Sequence, residues 1–151
     1  HRLTWMNAVR NGNVSPKKSV YLLDSFAFLA FLENESGMLR VQDILIQADT
    51  GKCQVTMSLI NLGEVLYIVE RERGLSSAQS VLALVESLPI KLLEASRELV
   101  FDAAHVKANY SMSYADAFAV AAAIQEQAII ITGDPEFKAV ENLVPIEWIS
   151  A

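Results

Sequence analysis

The sequence predicts an α/β fold, a largely parallel five-stranded sheet with helices on both faces, and three observations carry that expectation. Val20–Leu23 is a short apolar run rich in β-formers that stops on Asp24, the pattern of a buried central strand reaching its carboxyl edge. Residues 128–132, Ala-Ile-Ile-Ile-Thr, form the clearest buried strand in the chain. Around these two, helical and extended segments alternate, as they do in α/β proteins. Ligands of open α/β sheets bind outside the carboxyl ends of the strands, so Asp24 stands where a site belongs.

The elements follow in order. After Asp24 a helix is expected over 25–33, where Phe28, Leu29, Phe31 and Leu32 fall at helical spacing; 34–37 breaks it. A second amphipathic helix spans 38–48 and ends at Thr50-Gly51, and 54–57 is the second strand. Residues 59–73 read as a long helix closed by Gly74. Ser76 and Gln79 have capping-box spacing and open a helix over 76–88; Pro89 ends it, and 90–93 is the third strand. Ser96 caps a helix over 96–110 with Leu99, Val100, Ala103, Ala104 and Val106 on its apolar side. An alanine-rich helix over 114–127 runs directly into 128–132. Gly133, Asp134 and Pro135 then turn into a short helix, and 145–149 ends the fold as an edge strand, where its proline costs least.

Composition sets the bounds. A chain of 151 residues fits one domain with a real core. Its hydrophobic fraction of 52% is slightly above the usual ~45–50%, which points to an apolar interface with a partner or a second copy. No apolar run approaches the ~18 residues of a membrane span. Residues 1–19 are polar and hold no signal-peptide core, so a cytoplasmic protein is expected. The domain is placed at 19–151, behind an amino-terminal tail over 1–18 that a purification remnant would partly explain. Cys53 is the one cysteine, which leaves no intrachain disulfide or thiolate cluster and reads as a core residue. A net charge of −6 works against nonspecific binding to nucleic acid, although neutralising four acids with cations would leave −2 over the remaining surface.

Four acids carry the functional argument. Asp24 and Asp134 each have an ordinary reading as helix caps, Asp134 with a proline at the first helical position. Glu64 lies between Ile60 and Ile68 on an apolar side of its helix. Asp116 sits in Tyr-Ala-Asp-Ala-Phe-Ala-Val-Ala-Ala-Ala-Ile, a helix apolar nearly all round; its ordinary reading is a capping box with Ser113. Four fully ionised carboxylates in one place would repel by ~3 kcal/mol per pair at ~5.5 Å and an effective dielectric of ~20, comparable in sum to a domain's stability. Such a cluster must protonate, hydrate or hold cations. All-carboxylate donors suit Mg²⁺ or Mn²⁺; His1 and His105 offer little for zinc.

Asp24 after the first strand, Glu64 in the helix after the second, Ser113-Tyr-Ala-Asp116-Ala-Phe, and Thr132-Gly-Asp134-Pro-Glu-Phe137 after an Ile-rich strand together resemble the PIN domain family, VapC-type toxin ribonucleases in particular. The resemblance spans 19–150, with separations of 40, 52 and 18 residues between successive acids. It implies a three-layer α/β/α fold with sheet order 3-2-1-4-5 and a Mg²⁺- or Mn²⁺-dependent endoribonuclease. Asp24, Asp116 and Asp134 would bind the metal directly and Glu64 through water, with Thr132 and Ser25 supporting them. A homodimer and a cognate antitoxin that blocks the acidic pocket are implied too.

The chemistry would come from an ion that activates water and offsets charge on the phosphate oxygens. Lys52, Arg71, Arg73, Lys107 and Lys138 are the candidate phosphate contacts, each equally readable as a solvated charge. The six glycines make neither a dinucleotide fingerprint nor a phosphate loop, and Phe26 stands where an aspartyl phosphotransferase carries its second Asp. The competing readings are a PIN-like module that binds protein or RNA without cutting, and a structure-specific DNA nuclease.

Overall fold

In a computed structural model the described residues are 18–149. The expected tail over 1–18, apart from Lys18, lies outside the described residues, as do His1 and Ser150. The chain runs β1 (Val20–Leu23), α1 (Ser25–Leu32), α2 (Met38–Asp49), β2 (Gln54–Ser58), α3 (Leu59–Arg73), α4 (Leu75–Ser87), β3 (Lys91–Leu93), α5 (Arg97–Asn109), α6 (Tyr114–Glu126), β4 (Ile129–Thr132), a 3₁₀ helix (Pro135–Val140) and β5 (Ile146–Trp148).

All four strand pairings are parallel and the order is β3-β2-β1-β4-β5, the order that the resemblance implies. The strand sequence reverses direction between β1 and β4, so the crevice at their carboxyl ends is the expected ligand position. Successive strand residues face opposite layers. Leu22 and Ile130 join a core with α5, α6 and Phe137, while Leu23 and Ile131 join a second core with helices α1 to α4. Burial on both faces explains why these strands read as unbroken apolar runs.

Helix α6 lies against β1, β2, β4 and α3. It can do so because its buried positions are mostly alanine: Ala117, Ala119, Ala121, Ala122 and Ala123, with little side-chain bulk to hold the backbones apart. Ser113 caps it by accepting a hydrogen bond from the Asp116 amide at 3.1 Å, and Ser96 caps α5 through the Leu99 amide at 3.1 Å. Cys53 is buried just before β2, its thiol 3.4 Å from the Ile44 carbonyl.

Two expectations need correction. The capping box of Ser76 and Gln79 does not form. Gly74, at φ 94°, closes α3 and opens α4 in one residue, so α4 already begins at Leu75 and Ser76 lies inside its first turn. A φ of that sign is cheap only for glycine. Ala104 is exposed, because α5 buries only the stripe of Leu99, Ala103 and Val106.

Gly133 holds β4, β5 and α1 together at the exit of β4. A Cβ there would lie 2.4 Å from Phe26 Cε1 and 2.8 Å from the Ile149 carbonyl oxygen, which is backbone and cannot swing aside. Ile149 itself donates to the Thr132 carbonyl at 2.9 Å. Gly133→Ala is therefore expected to cost about 1–3 kcal/mol in chemical denaturation, the usual range for overpacking; an unchanged midpoint would contradict this close approach.

Candidate metal centre

The acids singled out in the sequence arrive from four elements. Asp24 follows β1 and caps α1, its Oδ1 accepting from the Ala27 amide at 2.8 Å. Glu64 lies half-buried in α3, Asp116 in the first turn of α6, and Asp134 at the cap of the 3₁₀ helix, where it accepts from the Glu136 amide at 2.9 Å. The ordinary cap roles of Asp24 and Asp134 are thus real, and both residues also face a shared cleft. That cleft holds about 290 Å³, and Asp24, Glu64, Asp116, Asp134 and Glu136 all line it.

Within the cleft Asp116, Asp134 and Glu136 place carboxylate oxygens within 4.8 Å of one another. Asp24 and Glu64 line the same space but stand outside that trio. Glu136 is the acid that sequence reasoning missed. It lies two residues after Asp134 in the quoted Thr-Gly-Asp-Pro-Glu-Phe segment, where a glutamate in a first helical turn has an innocent explanation.

Thr132 joins two of the acids. Its hydroxyl donates to Asp24 Oδ2 at 2.5 Å and accepts from the Asp134 amide at 3.0 Å, so adjacent strands are tied together where they deliver their carboxylates. Ser25, also expected as a support, is buried and donates to the Asn61 carbonyl at 3.1 Å.

The carboxylates disturb one another. Burial pushes Asp24 up from 3.8 to about 7, against the opposing hydrogen bonds from Thr132 and Ala27; the negative charges of Asp134 and Glu64 push the same way as burial. Burial, then a hydrogen bond with Glu136, then the charges of Asp134, Asp24 and Glu136 push Asp116 up to about 8. Without an ion these groups hold protons near neutrality. Clustered hard oxygens that retain protons for want of positive charge fit a hard divalent cation.

The candidate phosphate contacts fare less well. Lys52 precedes β2 and so lies at the amino edge of a parallel sheet, away from the cleft. Arg71 and Arg73 close α3, about 10–14 Å beyond Glu64 along the axis at ~1.5 Å per residue. Arg73 pairs with Glu33, and Arg71 sits over the Tyr67 ring at 5.2 Å. Lys107 donates to the Met112 carbonyl at 2.7 Å. Lys138 is exposed on the 3₁₀ helix that Asp134 caps.

A parallel sheet with an acidic cleft at its topological switch point defines a class of α/β proteins built to gather carboxylates. A PIN domain model matches residues 21–143, and the chain belongs to that family. Three solved structures show the same fold. VapBC2 of Rickettsia felis, bound to a promoter DNA fragment, is similar at TM-score 0.67 and 20% identity, over 87% of this chain and 99% of that one. DNA-bound VapBC of Salmonella typhimurium is similar at TM-score 0.69 and 15% identity, over 86% and 98%. VapC20 of Mycobacterium tuberculosis, a toxin that cleaves the sarcin–ricin loop, is similar at TM-score 0.62 and 18% identity, over 80% and 94%. A search of curated proteins gives no significant match.

Both raised carboxyls bind protons more tightly in the fold than in the unfolded chain. Their contribution to stability is therefore whole below about pH 4 and is lost as pH rises through about 7 to 8. For Asp24 the loss at pH 7 is on the order of 4 kcal/mol. Thermal unfolding in chelator should show Tm falling from about pH 5 to about pH 8, with a shallower slope in Asp116→Asn and recovery on adding Mg²⁺. Parallel slopes for the two proteins would contradict the assignment.

Proposed function

We propose that this chain is a Mg²⁺- or Mn²⁺-dependent endoribonuclease, the toxin of a toxin–antitoxin pair, acting in the cytoplasm. The observation that carries the proposal is the convergence of Asp24, Glu64, Asp116, Asp134 and Glu136 on one cleft, with two of them holding protons in the absence of an ion. Asp116, Asp134 and Glu136 have oxygens spaced to share an ion, and Asp24 is oriented toward the same space by Thr132. When bound, the ion supplies a water of lowered pKa and positive charge against the phosphate oxygens.

The chain's own residues do the rest. Asp24 and Asp116 would release their protons on binding an ion, and Asp134 and Glu136 would add two further carboxylates. Glu64, half-buried on the α3 side, orients an attacking water through its carboxylate. Thr132 holds Asp24 and Asp134 in fixed relation, so the donor geometry is formed before substrate arrives. No side-chain nucleophile is required. Single-stranded or structured RNA is the proposed substrate, in keeping with the loop-cleaving VapC20.

Partners follow from the surface. Tyr67 and Leu75, with Leu82 and Leu84, leave α3 and α4 with exposed apolar side chains, Tyr67 at 50% and Leu75 at 58%. Exposed apolar groups of this kind suit a second copy of the chain and an antitoxin, as in the VapBC assemblies. Among the described residues no helix is long and apolar enough to cross a membrane.

RNA cleavage should appear with Mg²⁺, vanish in chelator, and drop at least ~100-fold in Asp116→Asn, in the range for lost charge stabilisation at a reacting phosphate. Undiminished cutting by the variant would contradict the proposal. RNA bound but never cut would favour the binding module, and selective cutting of DNA flaps the DNA nuclease.

A further inference from the structure

Asn61 is wholly buried in the first turn of α3, three residues before Glu64. Its Nδ2 donates to the Ala115 carbonyl at 3.1 Å and to Ser25 Oγ at 3.4 Å, and the Ser25 hydroxyl donates back to the Asn61 carbonyl at 3.1 Å. Ser25 adjoins Asp24, and Ala115 adjoins Asp116. One side chain therefore connects three helix starts, each of which carries an acid of the cleft.

We propose that Asn61 is the positioning residue of the acidic cleft: bridging Ser25 and Ala115, it fixes Asp24, Glu64 and Asp116 relative to one another around the space a divalent ion would occupy. The inference rests on the metal-dependent reading above. Stability alone is a poor explanation for this amide. Its Oδ1 is buried without a hydrogen-bond partner among the described residues, and such an orphan costs about 1–3 kcal/mol. An apolar side chain of similar volume would fill the space without that cost. Turning the amide over gives no relief, because Oδ1 would then face the Ala115 carbonyl, acceptor against acceptor.

The polar bridge does what an apolar contact cannot. Apolar packing tolerates sliding, whereas two directional bonds from one planar amide hold α1, α3 and α6 at a single spacing. The alanine-rich start of α6 lets the bond to Ala115 reach the backbone itself, so the position of Asp116 is set through the main chain.

Calorimetric titration with Mn²⁺ tests the proposal, because it reads ion binding without catalysis. Asn61→Ala should weaken Mn²⁺ binding at least ~10-fold, the usual scale for removing a group that orients metal ligands. Val69→Ala, which trims a buried side chain farther along α3, should lower Tm but leave Mn²⁺ affinity within about twofold. Should Asn61→Ala fail to fold, Ser25→Ala breaks one arm of the same bridge and should weaken binding several-fold. Asn61→Ala or Ser25→Ala with wild-type affinity overturns the proposal, as does loss of folding in both variants whether or not Mn²⁺ is present. Wild-type protein that binds no Mn²⁺, or binds it unchanged in Asp116→Asn, overturns the metal reading itself and this inference with it.

Discussion

Like charges brought together out of water set the terms for the rest of this structure. Asp24 and Asp116 are nearly inaccessible, at 1% and 6% exposure, and each feels further carboxylates across one cleft. In a medium of intermediate dielectric such neighbours repel by several kcal/mol per pair when ionised, a large share of a small domain's stability. Only protons or cations relieve that repulsion. The fold tolerates the arrangement because its two apolar cores, one on each face of the sheet, supply the stability that the cleft withholds.

Placement of the acids follows from topology. The parallel order β3-β2-β1-β4-β5 puts the ends of β1 and β4 side by side, so residues 108 positions apart in sequence are joined by the Thr132–Asp24 hydrogen bond. Helices α3 and α6 then bring Glu64 and Asp116 toward that edge from opposite layers. Small residues make the approach possible: alanines along α6, and Gly133 where Phe26 and the Ile149 carbonyl close in. Dry backbone contacts thus govern the distances between charged groups.

Much of this was legible beforehand. Val20–Leu23 and the Ile-rich β4 could only be buried strands, and Asp116 stood out because the only other charge in its helix is Glu126 at the far end. Glu136 was not legible: at the first turn of a helix a glutamate serves the helix dipole, and only the turn at Pro135 shows that it faces Asp116 and Asp134. Asn61 was invisible for a similar reason, since one polar residue in a mixed helix carries no sign of burial. Among the cationic candidates Lys52 was misplaced because a position near a helix end does not say which edge of the sheet that end meets, and Lys52 lies at the far one. Ser76 had the right spacing for a cap, but Gly74 had already turned the chain.

The central claim, that a divalent ion replaces protons on mutually repelling carboxyls, is tested most directly by following the Asp24 and Asp116 carboxyl carbons by NMR through a pH titration, first in chelator and then in saturating Mg²⁺. The account predicts midpoints near 7 and 8 in chelator, both moved below about pH 5 by the ion. Midpoints near the ordinary value of about 4 in chelator, unmoved by Mg²⁺, would contradict it.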